Sequence, residues 1–340
     1  MKKINFHSIY LAGFLLILAL PLLNVPPLFS PPDWGKTILF RVILSILGFT
    51  FIYQTLYQEP RSKSDREPFS VNFSKEAKTV MFLLLALLGI FFLATIFSLD
   101  PSFSLWGNPY RAGGFINFAF YIIFSILLYL TAKKKDWQKL WDFSILVGIL
   151  VCVVALFQQF GIFKEIFVYL SSRPPSTIGI TTALAIYLLL LTFPTFSFFL
   201  STPIKKWFGL KKLLYFLSLI LFIIVSVLIT QTRSAYLGLA IGFLFFFFFY
   251  PLKTNLKKFK IKIFAIKGFA LILLILTAFI VFYANTHTSK ELPQFVQENK
   301  FLSRSASRLS IKTALNDPRI SGWPIALEAS LSRPVLGYGS

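Results

Sequence analysis

The chain has 340 residues, of which 56% are hydrophobic and only 14% are charged, and its mean hydropathy is +0.74. Soluble domains carry about 25% charged residues, so this composition excludes a soluble globular protein and indicates an integral membrane protein. The net charge of +21 does not indicate a nucleic-acid partner, because the basic residues are spread over short segments between apolar stretches.

Nine apolar stretches come close to the length that crosses a bilayer, which is about 17–25 residues. In chain order they are Ser8–Leu23, Lys36–Tyr57, Thr79–Phe97, Phe115–Thr131, Asp142–Phe160, Ile178–Leu200, Leu213–Thr230, Ala235–Tyr250 and Lys267–Tyr283. They predict an all-α fold, a polytopic membrane helix bundle of about nine spans with an external helical segment at the carboxy-terminal end. We divide the chain into membrane spans at 1–97, a membrane core at 98–283 and an external segment at 284–340.

The distribution of lysine and arginine predicts the orientation. If the amino terminus is cytoplasmic, most of the 34 basic residues fall on the inside, as the positive-inside rule requires. The residues after the first span, Asn24–Pro27, lack a small-residue cleavage site, so we expect an uncleaved span rather than a signal peptide. An odd number of spans then places everything after Tyr283 outside.

The loop between the third and fourth spans, Ser98–Gly114, contains a single basic residue, Arg111. Its three glycines permit tight turns that let the backbone approach a ligand. Arg111 can equally be an interfacial arginine whose charged group extends to the water at the membrane surface.

The segment that opens the sixth span contains Arg173, followed by two prolines and several hydroxyl side chains. Such a helix start can accept an anion, or its hydroxyls can simply cap the helix.

Arg233 is placed by the sequence in a very short turn between the seventh and eighth spans. A charge so close to the hydrocarbon is costly and indicates a functional site by default. The guanidinium is a planar fork of donors that matches a phosphate and stays charged. We therefore interpret Arg233 as a ligand of a lipid-linked phosphate, and the alternative is a membrane anchor at a helix end.

The last segment is polar and unlike the rest of the chain. Its part Glu291–Leu315 has a ragged helical pattern that can lie flat on a membrane surface. Further on, Arg319 and Trp323 are four residues apart, so they share one face if this part is helical. Pro324 would be tolerated at the start of that helix.

The single cysteine, Cys152, excludes an intrachain disulfide, and no Cys/His metal spacing is present. The acidic residues of the external segments form no close pair of the kind that binds a divalent cation. We therefore expect neither a metal nor another cofactor.

Four motifs together resemble the O-antigen ligase and polymerase superfamily. The turn Thr232-Arg233-Ser234-Ala235 is similar to the family's "S-R-G/A" turn, and the loop Ser104–Gly113 is similar to its "S-h-W-G-x-x-x-R-x-x-G" loop. The tail with Arg319, Trp323 and Ala326, followed by Arg333–Gly339, resembles its "R-x-x-x-W-x-x-A…h-P-h-h-G-h-G" segment. The segment Ser176–Leu188 resembles its "G-T-h-G-N-P-N-x-h-A" span, with Thr181 and Thr182 replacing the amide-rich part.

The resemblance implies an inverting, metal-independent glycosyltransferase in the bacterial cytoplasmic membrane. Its donor would be a glycan linked to undecaprenyl diphosphate, and its acceptor lipid A core, another lipid-linked glycan or a protein hydroxyl. Arg233 and Arg319 would be catalytic, and Arg111, Arg173 and Trp323 would bind substrate. Arginines beside a departing diphosphate stabilise the charge that grows in the transition state.

A histidine acts as base in the family and follows the tail motif, which places it beyond Ser340. We therefore expect the chain to be a fragment. Of the two histidines present, we interpret His7 as structural, and His287 in the external segment is the possible base.

Two other functions stay open: a polysaccharide or polyprenyl-lipid transporter, and a membrane binding protein without catalysis. An ion-coupled carrier usually needs acidic residues deep in its spans, and the predicted spans have none at their centres. The sequence does not distinguish ligase, polymerase and protein glycosylation, nor does it identify the sugar or the oligomeric state.

Overall fold

The structure is a computed structural model that describes residues 6–23, 31–57, 75–108, 113–162, 173–202, 209–249, 318–334 and 337–338, together with 268, 271 and 275. All regular secondary structure in these ranges is helical. This confirms the predicted all-α membrane helix bundle.

The helices follow the apolar stretches of the sequence. They are α1 (Phe6–Ala19, continued by a 3-10 turn at Leu20–Leu22), α2 (Pro31–Tyr57), α3 (Lys75–Ile96), α4 (Pro101–Trp106), α5 (Phe115–Thr131), α6 (Lys134–Phe160), α7 (Thr181–Ser201), α8 (Leu210–Ile224, continued by a π-helical turn at Val225–Ile229), α9 (Arg233–Phe249) and α10 (Pro318–Ser332).

Eight of the nine predicted spans coincide with these helices. Within the described residues, five helices are long and apolar enough to cross a membrane, and three shorter apolar helices lie at Phe6–Leu22, Phe115–Thr131 and Arg233–Phe246. The ninth predicted span, Lys267–Tyr283, lies outside the described residues except at three positions, so the count of nine stays a prediction. The helical segment predicted at Glu291–Leu315 also lies outside them.

Several helix ends differ from the prediction. Helix α6 begins at Lys134, eight residues before the predicted Asp142, because its first turns are amphipathic rather than apolar and buried Asp136 accepts a hydrogen bond from the Lys133 amide at 2.9 Å. Helix α7 begins at Thr181, because Gly179 adopts a left-handed φ of 96° that interrupts the chain just before it. Helix α10 begins at Pro318, which leaves Pro324 inside the helix rather than at its start.

The chain divides into two compact units. Unit 1 comprises Met1–Val147 and Ile325–Ser340, and unit 2 comprises Gly148–Pro324. The core of unit 1 consists of apolar side chains from α1, α2, α5 and α6, among them Phe14, Leu44 and Leu127. At one edge of this core, His7 Nε2 lies 3.2 Å from Asp136 Oδ2, which supports the structural interpretation of His7.

Unit 2 is centred on α7, α8 and α9. Phe196, Leu219, Leu239 and Phe243 form its buried apolar cluster. A Cβ atom added at Gly238 would lie 2.4 Å from Leu189 Cδ2, and one added at Gly242 would lie 2.0 Å from Phe193 Cζ. These two glycines, four residues apart on α9, therefore allow α7 to approach closely, which is the usual role of small residues in membrane helix packing.

Candidate functional site

The connection between α8 and α9 is buried although it is a turn. Helix α8 widens into the π-helical turn Val225–Ile229, in which the Thr230 amide donates to the Val225 carbonyl at 3.0 Å. Thr230, Gln231 and Thr232 are 0%, 3% and 5% exposed. We call Thr230–Arg233 the arginine turn. Its first three residues are buried, so their conformation is set by contacts within unit 2.

Hydrogen bonds from side chains fix the arginine turn to the two helices that it joins. Thr230 Oγ1 donates to the Ser226 carbonyl at 2.5 Å and lies 3.0 Å from Thr232 Oγ1. The Tyr236 hydroxyl of α9 donates to the Val227 carbonyl in the π-helical turn at 3.0 Å. A buried backbone polar group is costly when unpaired, so these bonds stabilise a turn that the lipid environment would otherwise disfavour.

Arg233 is the first residue of α9, whereas the sequence placed it within the turn. The amino end of a helix carries a partial positive charge, and a cation there is unfavourable by about 0.3–1 kcal/mol. Arg233 therefore adds its charge to the positive end of α9 instead of compensating it. The start of α9 is therefore locally positive.

Arg173 is brought to the same turn from the segment before α7. Its Nη1 atom donates to the carbonyl of Thr230 at 2.7 Å and to that of Gln231 at 3.3 Å. These two carbonyls follow the end of α8, where the backbone has the partial negative charge that a cation stabilises. The structure thus unites two of the predicted site residues, Arg173 and Arg233, but part of the Arg173 guanidinium supports the turn itself.

The segment after Arg173 is anchored inside unit 2. The Ser176 amide donates to Gln158 Oε1 at 2.7 Å, and the Ser176 hydroxyl donates to the Val151 carbonyl at 2.6 Å. Both Ser176 donors are therefore occupied by partners within unit 2. Among the described residues, the non-glycine residues with positive φ are Ser176 at 54° and Gln231 at 48°. Backbone strain of this kind collects at functional sites. Gln231 is one of the two residues whose carbonyls Arg173 contacts, and Ser176 follows Arg173 by three positions.

In the predicted loop between the third and fourth spans, the backbones of Gly107 and Gly114 are in contact, and we call this contact the closed base of the loop. The loop contains the short helix α4, whose first turn is capped by Asp100 through a 2.9 Å bond from the Phe103 amide. The backbones of Gly107 and Gly114 touch: a Cβ atom at Gly107 would lie 2.2 Å from the Gly114 nitrogen. Arg111 lies between these two glycines in the sequence and outside the described residues.

The tail motif contacts this loop region within unit 1. The Leu99 amide donates to the Tyr338 carbonyl at 3.4 Å. The Tyr338 hydroxyl lies 2.7 Å from Ser332 Oγ, and the Arg333 guanidinium lies 5.0 Å from the centre of the Tyr338 ring. Two motifs more than 200 residues apart in the sequence are thereby adjacent.

The side chains of the remaining predicted site residues lie mostly outside the part of the chain that the structure describes. Trp323 is 69% exposed on α10, and the side chain of Arg319 lies outside the part of the chain that the structure describes, as does His287. No group of three or more metal-binding side chains occurs among the described residues.

Residues 216–340 match the family model described as O-Antigen ligase. The match begins within α8 and includes the arginine turn, α9 and the tail motif, so the resemblance to the O-antigen ligase superfamily is confirmed on that part of the chain. No curated protein and no solved structure matches the chain.

Outside the matched O-antigen ligase region, Gln158 is a site residue that the sequence analysis did not identify. It is 7% exposed and holds the segment that carries Arg173. A signal was present, because Gln158 and Gln159 are adjacent amides at the end of a long apolar run, and a buried amide requires hydrogen-bond partners.

Proposed function

We propose that the protein is a glycosyltransferase of the O-antigen ligase type. It moves a glycan from an undecaprenyl diphosphate donor to lipid A core, a growing polysaccharide or a protein hydroxyl at the outer face of the bacterial cytoplasmic membrane. The observation that carries the proposal is the buried arginine turn inside the matched region, with Arg233 at the positive end of α9 and Arg173 bound to the same turn.

The proposed reaction is an inverting displacement without a metal. The acceptor oxygen attacks the anomeric carbon, the bond from that carbon to the diphosphate oxygen breaks, and the diphosphate departs with the bonding electron pair. Arg233 and Arg319 stabilise the charge that develops on the leaving group. Arg111, Arg173 and Trp323 bind the donor. The acceptor proton passes to a general base, and within this sequence His287 is the candidate for that role.

The test compares Arg233 with Arg173 in membranes that contain the protein, a lipid-linked glycan donor and an acceptor. Both Arg233→Lys and Arg233→Ala should lower transfer about a hundredfold, equivalent to about 3 kcal/mol of lost transition-state stabilisation. The lysine variant keeps the charge but loses the planar fork that binds a phosphate. The thermal unfolding midpoints of both variants should stay near that of the unmodified protein, because a cation at the amino end of α9 does not stabilise the helix.

Arg173→Ala should reduce both transfer and the unfolding midpoint, since it removes two bonds to buried carbonyls. Lys211→Ala, at the opposite end of α8, is the matched control and should leave transfer unchanged. Near-normal transfer by Arg233→Ala would reduce Arg233 to a membrane anchor and contradict the proposal.

A further inference from the structure

Another arginine, Arg41, lies within a membrane span of unit 1. Arg41 is the eleventh residue of α2, and its guanidinium carbon lies 5.8 Å from the centre of the Phe120 ring on α5. Its Nε and Nη2 atoms are buried and have no hydrogen-bond partner in the described part of the chain. These two atoms form one edge of the guanidinium, the edge that binds a carboxylate or phosphate through two parallel hydrogen bonds.

Asn117 provides a second incompletely paired group on the neighbouring helix. It is 8% exposed, its Nδ2 donates to the Tyr121 hydroxyl at 3.2 Å, and its Oδ1 is buried without a partner among the described residues. If the amide is turned round, its nitrogen becomes the atom that lacks a partner, so one polar atom of Asn117 is unsatisfied in either orientation. We call Arg41, Asn117, Phe120 and Tyr121 the Arg41 cluster.

Arg41 is half-buried, and its two buried donors are unfavourable as they stand. A charged group in apolar surroundings is costly unless it is paired and hydrogen-bonded, and within the described residues no carboxylate forms an ion pair with Arg41. An aromatic face attracts the cation but does not occupy its N–H donors. A bound anion that accepts from Nε and Nη2 would remove this cost.

The position of the cluster indicates the direction from which such an anion arrives. Phe120 is the sixth residue of α5, so it lies about 8 Å from the start of that helix at 1.5 Å per residue. Tyr121 is 51% exposed. Ile38 and Val42, which are close to Arg41 in the sequence of α2, are 45% and 50% exposed. The cluster is therefore flanked by exposed apolar side chains on helices that face lipid, and it lies near a helix end where lipid headgroups are located.

We propose that the Arg41 cluster binds the phosphate of a membrane lipid. Nε and Nη2 of Arg41 donate to two phosphate oxygens, and Asn117 bonds to a further polar atom of the headgroup. The acyl or prenyl chains lie along the exposed apolar side chains beside it. The phosphate belongs to a glycerophospholipid or to a polyprenyl phosphate carrier, two sources with the same recognition chemistry. The proposal does not depend on the glycosyltransferase activity.

The experiment uses the purified, delipidated protein in detergent and measures binding by native mass spectrometry and by the shift of the unfolding midpoint. The probes are phosphatidylglycerol, undecaprenyl phosphate, inorganic phosphate and uncharged diacylglycerol. At least one phosphate-bearing lipid should bind and raise the midpoint, because a ligand of the native state stabilises it. Preference for phosphatidylglycerol identifies a glycerophospholipid site, and preference for undecaprenyl phosphate identifies a carrier-lipid site. Inorganic phosphate binding as tightly as the lipids, or diacylglycerol binding equally well, would overturn the proposal.

Variants separate the cluster from other lipid contacts. Arg41→Gln should weaken binding of the preferred lipid by about tenfold or more, because charge-assisted bonds are lost. If Arg41→Gln does not fold, Arg41→Lys keeps the charge and loses the fork, and it should also weaken binding. Lys211→Gln is the matched control, since Lys211 lies 5.7 Å from the Tyr215 ring centre outside the cluster. A folded Arg41→Gln protein that binds the same lipids with unchanged affinity and stoichiometry would refute the site.

Discussion

At the residue scale, the backbone contact between Gly107 and Gly114 can be tested by a single substitution. Gly107 has a φ of 75°, and a Cβ atom there would meet backbone atoms of Gly113 and Gly114. Gly107→Ala should therefore open the base of the loop that contains Arg111, at a local cost of about 1–3 kcal/mol. We expect faster hydrogen exchange at residues 108–113, reduced glycan transfer and a lower unfolding midpoint.

Gly113, which precedes Gly114 in the sequence, provides the control for Gly107→Ala. Nothing lies within 4 Å of a Cβ atom built on it, so Gly113→Ala should exchange hydrogen and transfer glycan like the unmodified protein. If both variants behave alike, the closed base of the loop has no role in the site.

Single residues also show what a sequence can and cannot predict. Arg233 was identified because a charge between two apolar runs is conspicuous. Its position as the first residue of α9 was not, because an assignment of helix ends depends on cap geometry that the sequence does not reveal. The bonds from Arg173 to Thr230 and Gln231 join residues more than 50 positions apart, and they follow from tertiary packing alone.

At the scale of the elements, the packing of α9 against α7 depends on two glycines. Gly242→Ala would place a methyl carbon 2.0 Å from Phe193 Cζ, so the ring would have to shift within a packed cluster. Overpacking of this kind costs about 1–3 kcal/mol, so the unfolding midpoint should fall by several degrees. A second substitution, Phe193→Leu, should restore part of the loss by making room.

A glycine on α3 serves as the control for this packing prediction. Gly89 has nothing within 4 Å of the position of an added Cβ atom, and alanine is the better helix former. Gly89→Ala should therefore leave stability equal or slightly raised. An equal loss in Gly242→Ala and Gly89→Ala would show that the glycines do not determine the contact between α7 and α9.

The elements were predictable wherever apolar residues run unbroken, since hydrocarbon thickness sets the length of a span. Prediction failed at the amphipathic start of α6 and at α4, which lies in a segment that the hydropathy pattern assigned to a loop. Helix α4 is only six residues long, and its first turn depends on the Asp100 cap.

At the scale of the whole molecule, the orientation in the membrane is the principal prediction. The lysine distribution places the segment that contains Ser102 outside and the start of α6 inside. In intact spheroplasts, an impermeant thiol reagent should label Ser102→Cys but not Lys135→Cys, although both positions are exposed. Native Cys152 is 0% exposed and should not react.

Permeabilised cells provide the control for accessibility, because both cysteines should then be labelled. Labelling of Lys135→Cys with none of Ser102→Cys in intact spheroplasts would invert the topology. It would also place the arginine turn on the cytoplasmic side and remove the basis of an outer-face reaction.

The π-helical turn Val225–Ile229 bears on how such chains change length during evolution. A π-helical turn holds one more residue than the α-helical turn it replaces, and one residue rotates a helix by about 100°. Deleting a single residue there would let the turn close as an ordinary α-helical turn, so the Thr230 carbonyl would keep its direction towards Arg173. Two relatives that differ by one residue at this turn can therefore present the same acceptors to this arginine. In an alignment of such sequences, a one-residue gap here leaves the site in register, whereas the same gap within an α-helical part of the span rotates everything after it by about 100°.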